Sequence, residues 1–132
     1  MKIEELNVRW PDSSIRGISV DYDALKVEIQ EGGKFNLDTR TLFCLGFLGF
    51  QMIGFWDEVI IRDAKIYSEH HFIAKCEHRV KQQLPSGSIE RSVEGNSLFE
   101  MELIDGCKLW VCAKHFVADS PDSTDGLGTR RL

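Results

Sequence analysis

The segment Thr41-Leu-Phe-Cys-Leu-Gly-Phe-Leu-Gly-Phe-Gln-Met-Ile-Gly-Phe-Trp56 is the most apolar part of the chain, and the fold depends on it. It contains four of the eight phenylalanines and no charged side chain. Residues 42–49 are apolar on both alternating faces, which predicts a central strand that is covered on both sides. A buried helix is the alternative, since periodicity does not separate helix from strand in a short apolar run. Three glycines and five aromatic residues favour the strand, with bends or bulges at the glycines.

Alternating apolar and polar residues on the N-terminal side of this segment predict an antiparallel hairpin. Its strands cover residues 15–22 and 25–30, and Asp23-Ala24 forms the turn. In this pattern Tyr22 lies on the same face as the apolar side chains of the first strand. A further strand is predicted over residues 59–67, with a bulge near Asp63.

A second hairpin is predicted near the C-terminus, with strands at 99–103 and 109–113. The pair Asp105-Gly106 between them is typical of a two-residue hairpin turn. Acids on the first strand face lysines on or beside the second, which predicts cross-strand ion pairs among Glu100, Glu102, Lys108 and Lys114.

One segment has the apolar spacing of a helix. Phe72, Cys76 and Val80 recur on one helical face, and charged residues occupy the rest. This predicts a single helix near residues 69–83 with Ser68 as its N-cap. The predicted fold class is therefore α+β, with a mainly antiparallel curved β-sheet or small sandwich and one helix.

The length of 132 residues predicts one domain. We expect a single globular domain over 1–117. Residues 118–132 are rich in Ser, Asp, Gly, Thr and Arg, which predicts a disordered C-terminal tail.

Composition excludes several classes of function. The net charge of −5 argues against a general affinity for nucleic acid, because there is no surplus of cations to replace phosphate counterions. No apolar run is long enough for a membrane span, and the N-terminus has no apolar signal region. We therefore predict a cytoplasmic protein whose four cysteines are reduced.

No pattern indicates catalysis. His70, His71, Cys76 and His78 lie close together but lack the spacing of zinc ligands. Cys44 lies in an apolar run where a thiolate is disfavoured. The glycines at 46 and 49 lack the spacing of a phosphate-binding loop. We predict that the chain is not an enzyme and holds neither a cofactor nor a metal.

Acidic side chains beside turns and aromatic residues are typical of protein-binding surfaces, where the aromatics anchor and the charges steer. The tryptophans at 10 and 56 each stand beside a turn and an acid. The candidate partner-binding residues are Trp10, Asp12, Asp21, Asp23, Glu28, Glu31, Asp57 and Glu58.

Three motifs resemble those of a group of small bacterial β-rich proteins of unknown or immunity-type function. They are Trp10-Pro-Asp-Ser13, the turn Asp21-Tyr-Asp23, and Leu103-Ile-Asp-Gly106 in a hairpin that ends at His115-Phe116. The resemblance implies a non-catalytic binding protein that occludes a cognate protein toxin, for example a basic nuclease.

Two alternatives stay open at this point. One is a small-ligand-binding or enzymatic β-domain with a cavity lined by Phe43, Phe47, Phe50 and Trp56. The other is a homo-oligomeric structural module in which the apolar segment forms the interface. The sequence leaves the oligomeric state open.

Overall fold

A computed structural model describes residues 1–32, 39–54, 59–83 and 95–119. Within these ranges the chain forms eight strands, one α-helix and a short 3-10 helix at Ile3–Leu6. The strands are β1 (Ser14–Asp21), β2 (Ala24–Gln30), β3 (Thr39–Leu45), β4 (Gly49–Ile53), β5 (Ile61–Tyr67), β6 (Ser97–Leu103), β7 (Lys108–Ala113) and β8 (His115–Ala118), and the helix is α1 (His71–Gln83).

The strands form two antiparallel four-stranded sheets, so the predicted β-rich α+β fold is confirmed. The first sheet has the order β1-β2-β3-β8 and the second has the order β4-β7-β6-β5. Their inner faces meet in an apolar core that includes Leu25, Val27, Leu42, Met101 and Val111, all fully buried. Burial of each such side chain stabilises the fold by about 1.5–3 kcal/mol.

The apolar segment forms two strands in different sheets, so the prediction of one central strand covered on both sides is wrong. Gly46 has φ 65°, and there the chain turns out of the first sheet and into the second. In β3 only one face is covered, because Leu42 is fully buried while Leu45 is 37% exposed. The strand β4 lies at a sheet edge, where Phe50 is 41% exposed.

Both predicted hairpins form, with different loops. The β1–β2 loop is Tyr22-Asp23, because Asp21 pairs with Ala24. The β6–β7 loop has three residues and not two, because the Leu103 amide donates to the Cys107 carbonyl at 2.8 Å.

In the second sheet the predicted bulge is present, and one of the two predicted lysines lies near the acids. The register of β5 shifts between Ile61 and Asp63, which confirms the bulge near Asp63. Glu102 lies opposite Lys108, and the Lys108 Nζ is 3.7 Å from a carboxylate oxygen of Glu100. Lys114 instead lies beside Gly46, at the corner between the sheets.

The helix α1 covers the outer face of the second sheet and confirms the helix predicted near 69–83. Phe72 and Cys76 pack there against Leu98 and Cys112 and form a second, smaller core. The helix approaches closely because Gly49 has no side chain: a Cβ at that position would lie 2.9 Å from the Cys76 Sγ.

The last described strand, β8, ends at Ala118, one residue beyond the predicted domain limit of 117. Asp119 is also held, since its carboxylate accepts a hydrogen bond from the Thr41 amide at 2.9 Å. The rest of the predicted tail, residues 120–132, lies outside the described residues. In the part of the chain that is described, no helix is long and apolar enough to cross a membrane.

Candidate partner-binding site

Among the described residues, the most exposed large hydrophobic side chain is that of Tyr22, in the loop between β1 and β2. Its relative exposure is 94%, and its φ is 62°. A residue with a Cβ loses roughly 1–2 kcal/mol in this left-handed region, and two-residue loops usually place Gly, Asn or Asp there. Tyr22 does not contribute to the core, contrary to its predicted inward position. An exposed aromatic residue at a strained position indicates a role other than folding.

Backbone hydrogen bonds hold the loop that carries Tyr22 in place. The carbonyl of Asp23 accepts hydrogen bonds from the amides of Gly46 at 3.0 Å and Phe47 at 3.3 Å. These two residues belong to the corner where the chain changes sheets. The tyrosine is therefore presented on a braced loop, which reduces the entropy lost when a partner immobilises it.

Acidic and apolar residues surround this tyrosine. Asp21 and Asp23 flank it in sequence and are exposed. Asp21 pairs with the Lys26 Nζ at 3.4 Å, a surface contact that is worth little by itself. Val20 is 54% exposed on the adjoining strand. We call Val20, Asp21, Tyr22 and Asp23 the hairpin tip.

The remaining predicted site residues do not join the hairpin tip. β1 has eight residues, so its ends lie about 23 Å apart at roughly 3.3 Å per residue. Asp12 is exposed at the far end, before β1 begins, and Glu28 is exposed midway, opposite Gly17. Asp57 and Glu58 lie outside the described residues.

Trp10 and Glu31 belong to the interior, which corrects their assignment to an exposed surface. Trp10 is 6% exposed and packs edge-on against Phe99, with ring centroids 5.3 Å apart. The Glu31 carboxylate accepts hydrogen bonds from the Arg9 amide at 2.9 Å and from the Arg40 guanidinium at 3.2 Å.

Glu31 is a partner of the buried Arg40. The Arg40 side chain also donates to the Asn7 carbonyl at 3.0 Å and to the Asp119 carbonyl at 2.8 Å. Removing one partner of such a buried charge is destabilising, so Glu31 has a structural role.

A second polar cluster, on the outer face of the second sheet, was not predicted. Glu100 is 8% exposed and accepts hydrogen bonds from the Trp110 Nε1 at 2.8 Å and the Tyr67 hydroxyl at 3.2 Å. Burial and the neighbouring Glu100 carboxylate raise the pKa of Tyr67. In the sequence, this cluster could have been predicted from Tyr67 and Trp110, which occupy outward positions on strands beside an amphipathic helix.

His70 completes this cluster and lies immediately before the first residue of α1. Its ring lies 4.7 Å from that of Trp110 and 4.4 Å from that of His71. Its Nδ1 accepts a hydrogen bond from the Phe72 amide at 3.1 Å, so His70 and not Ser68 caps the helix. Burial and the adjacent His71 lower the pKa of His70. We call Tyr67, His70, Glu100 and Trp110 the covered cluster, and its bonds are those of a structural network.

The cysteines are all buried and unbridged. Burial raises the pKa of the Cys44 thiol to about 12, in agreement with the expectation that a thiolate is disfavoured in this apolar run. The hydrogen bond with Cys76 and burial raise the pKa of the Cys112 thiol. Among the described residues, no group of three or more His, Cys, Asp or Glu is placed to hold a metal ion.

Comparison of the chain with known protein families, with curated proteins and with solved structures gave no match.

Proposed function

We propose that the chain is a non-catalytic binding protein that occludes a partner protein through the hairpin tip. In its most concrete form it is a bacterial immunity protein that neutralises a cognate toxin. The observation that carries the proposal is Tyr22, which is 94% exposed in a left-handed conformation on a loop held by two backbone hydrogen bonds.

The chemistry of the hairpin tip selects a basic partner. A rigid tyrosine supplies contact area at low entropic cost, and tyrosine is one of the residue types that dominate binding energies. Asp21 and Asp23 beside it, together with the net charge of −5, attract a cationic surface and increase the association rate. A toxin that binds nucleic acid presents such a surface over its active site.

The alternative of a cavity lined by phenylalanines has less support. Phe43 lies on the outer face of the first sheet, with the Lys26 Nζ 5.9 Å from its ring centre. Phe47 packs against the core between the sheets. These two rings therefore do not line a common cavity, and Trp56 lies outside the described residues.

The test uses the product of the neighbouring gene, purified and co-expressed with this chain. If that product is toxic, the wild-type chain should restore growth and form a complex measurable by calorimetry. Tyr22→Ala should weaken this complex by about thirtyfold or more, as expected for a central hot-spot residue. The matched control is Val117→Ala, since Val117 is 48% exposed on β8, which β3 separates from the hairpin of β1 and β2.

A further variant separates binding from folding. Tyr22→Gly removes the side chain and also relieves the strained φ, so its free energy of unfolding should equal or exceed that of the wild type by up to about 1 kcal/mol. Its binding should be lost as in Tyr22→Ala. The proposal is wrong if the neighbouring product forms no complex, or if Tyr22→Gly binds as tightly as the wild type.

A further inference from the structure

A groove runs between the edge strand β4 and the helix α1, on the second sheet. Its volume is about 320 Å³. Leu48, Gly49 and Phe50 line it from the strand, and Phe72 and Cys76 line it from the helix. At Gly49 the strand and the helix are in close contact, since a Cβ there would lie 2.9 Å from the Cys76 Sγ. This contact closes the bottom of the groove, and its walls are largely apolar.

The rim of the groove is cationic. Lys75 and Arg79 line it from the helix, are four residues apart and lie on the same side of α1. Both are exposed, and neither forms an ion pair with another described residue. By contrast, Lys26 and Arg62 on the strands each pair with a carboxylate. Two cations that form no ion pair with the described part of the chain, beside an apolar groove, match a ligand that is both anionic and apolar.

The backbone of β4 offers a further means of binding. It pairs with β7 on one side, and within the described ranges no strand pairs with its other side. A free edge of this kind accepts an extended peptide as an additional strand. Phe50 is 41% exposed, and its side chain lies on the face of β4 away from α1, with its ring centre 6.5 Å from that of Phe47. It can therefore contact the apolar side chains of a strand whose carboxylates face the helix.

We infer that this groove binds an extended acidic and apolar peptide segment of a partner protein. The segment pairs with the free edge of β4, its carboxylates contact Lys75 and Arg79, and its apolar side chains fill the space beside Phe50. This second surface is independent of the hairpin tip. It binds an anionic segment, whereas the hairpin tip binds a cationic surface.

A second copy of the chain fits this surface less well. Antiparallel pairing of two β4 edges relates the copies by a two-fold axis perpendicular to the sheet. Both α1 helices would then lie on the same face beside the junction. Lys75 and Arg79 of one copy would approach those of the other, and like charges repel.

The probe is a fluorescent alternating glutamate–leucine peptide of about seven residues, the length of a typical strand. Its affinity for the full chain is measured by anisotropy, and its position by amide chemical shifts. We expect saturable binding, with the largest shifts in Gly49–Ile53. The double variant Lys75→Glu/Arg79→Glu should bind at least about tenfold more weakly, while Arg16→Glu, a charge reversal at an exposed position on β1, should bind like the wild type.

Two further peptides distinguish the contributions of charge and backbone. A lysine–leucine peptide should not bind, and a glutamate–leucine peptide with N-methyl groups on alternate amides should bind weakly, because methylation removes the donors that pair with β4. Equal affinity for both charge types, an unchanged affinity in the double variant, or shifts confined to the hairpin tip would each refute the inference. So would a dimer in sedimentation, combined with amide shifts in Gly49–Ile53 that depend on protein concentration. Tyr22→Ala should leave the affinity for the peptide unchanged, so failure here is distinguishable from failure of the proposed function.

Discussion

The two outer faces of the sandwich carry the same types of residue in different surroundings. On the first sheet, Glu28 and His115 are exposed to solvent. On the second sheet, α1 packs over Leu98 and Cys112, and Glu100 is 8% exposed beside Tyr67 and Trp110. A carboxylate that loses water depends on its protein partners, while one that keeps water does not. We call these the bare face and the covered face, and matched substitutions on the two faces should differ accordingly.

The largest expected difference is between the two glutamates. Glu100→Ala removes the acceptor for the Trp110 Nε1 and the Tyr67 hydroxyl, which are partly buried. A buried donor left unpaired costs about 1–3 kcal/mol. We expect the free energy of unfolding in urea to fall by about 2–4 kcal/mol. Glu28→Ala on the bare face should change it by no more than about 0.5 kcal/mol. Equal effects of the two substitutions would mean that the covered cluster does not contribute to stability.

The next comparison uses two glycines. A Cβ at position 49 would lie 2.9 Å from the Cys76 Sγ, whereas a Cβ at position 17 would meet only a Glu28 carboxylate oxygen, at 3.8 Å. Gly49→Ala should therefore destabilise the fold by about 1–3 kcal/mol, as overpacking does, and Gly17→Ala should be nearly neutral.

A double-mutant cycle gives the cause of the effect at Gly49. If the clash with the Cys76 Sγ is responsible, adding Cys76→Ala should make Gly49→Ala cost much less than in the wild-type background. Thermal unfolding of the four variants measures this coupling. If the effects of the two substitutions on stability are strictly additive, contact with the Cys76 Sγ is not the cause of the effect of Gly49→Ala.

The sequence was sufficient to predict the elements whose pattern is local. Alternation identified both hairpins, and the spacing of Phe72, Cys76 and Val80 identified α1. It was not sufficient to predict where the apolar segment changes sheets. Gly46, Gly49 and Gly54 are equivalent in a pattern of apolar residues, and only the structure shows the chain crossing at Gly46.

The surroundings of individual side chains also escaped prediction. Glu100 alternates with apolar residues as a solvent-exposed acid does, but it is 8% exposed and binds Tyr67 and Trp110 of the two neighbouring strands. Among the predicted partner-binding residues, Asp21 and Asp23 lie together at the hairpin tip, while Trp10 and Glu31 are in the interior. Burial of an outward-facing residue depends on non-local packing, which alternation within a strand does not contain.

The smallest expected effect involves the two histidines. His70 caps α1 through its neutral Nδ1, which accepts the hydrogen bond from the Phe72 amide. His70→Ala should cost about 1 kcal/mol, and His70→Asn, whose side-chain oxygen is a good N-cap acceptor, should cost less. His115→Ala on the bare face, where the side chain is exposed, should have little effect.

The same histidine should make stability depend on pH. Burial and His71 lower the pKa of His70, with Lys108 acting in the same direction and Glu100 opposing them. Below the unfolded pKa of about 6.5 the unfolded chain therefore binds more protons than the folded chain, and the free energy of unfolding falls as the pH decreases until the folded pKa is passed. A protonated ring also cannot accept from the Phe72 amide, and it places a positive charge at a helix N-terminus. Urea titrations between about pH 7 and pH 5 cover the unfolded pKa of about 6.5. Over this range the free energy of unfolding should fall less for His70→Asn than for the wild type. If the two slopes agree while His115→Ala alone reduces the loss, the pH dependence originates on the bare face instead.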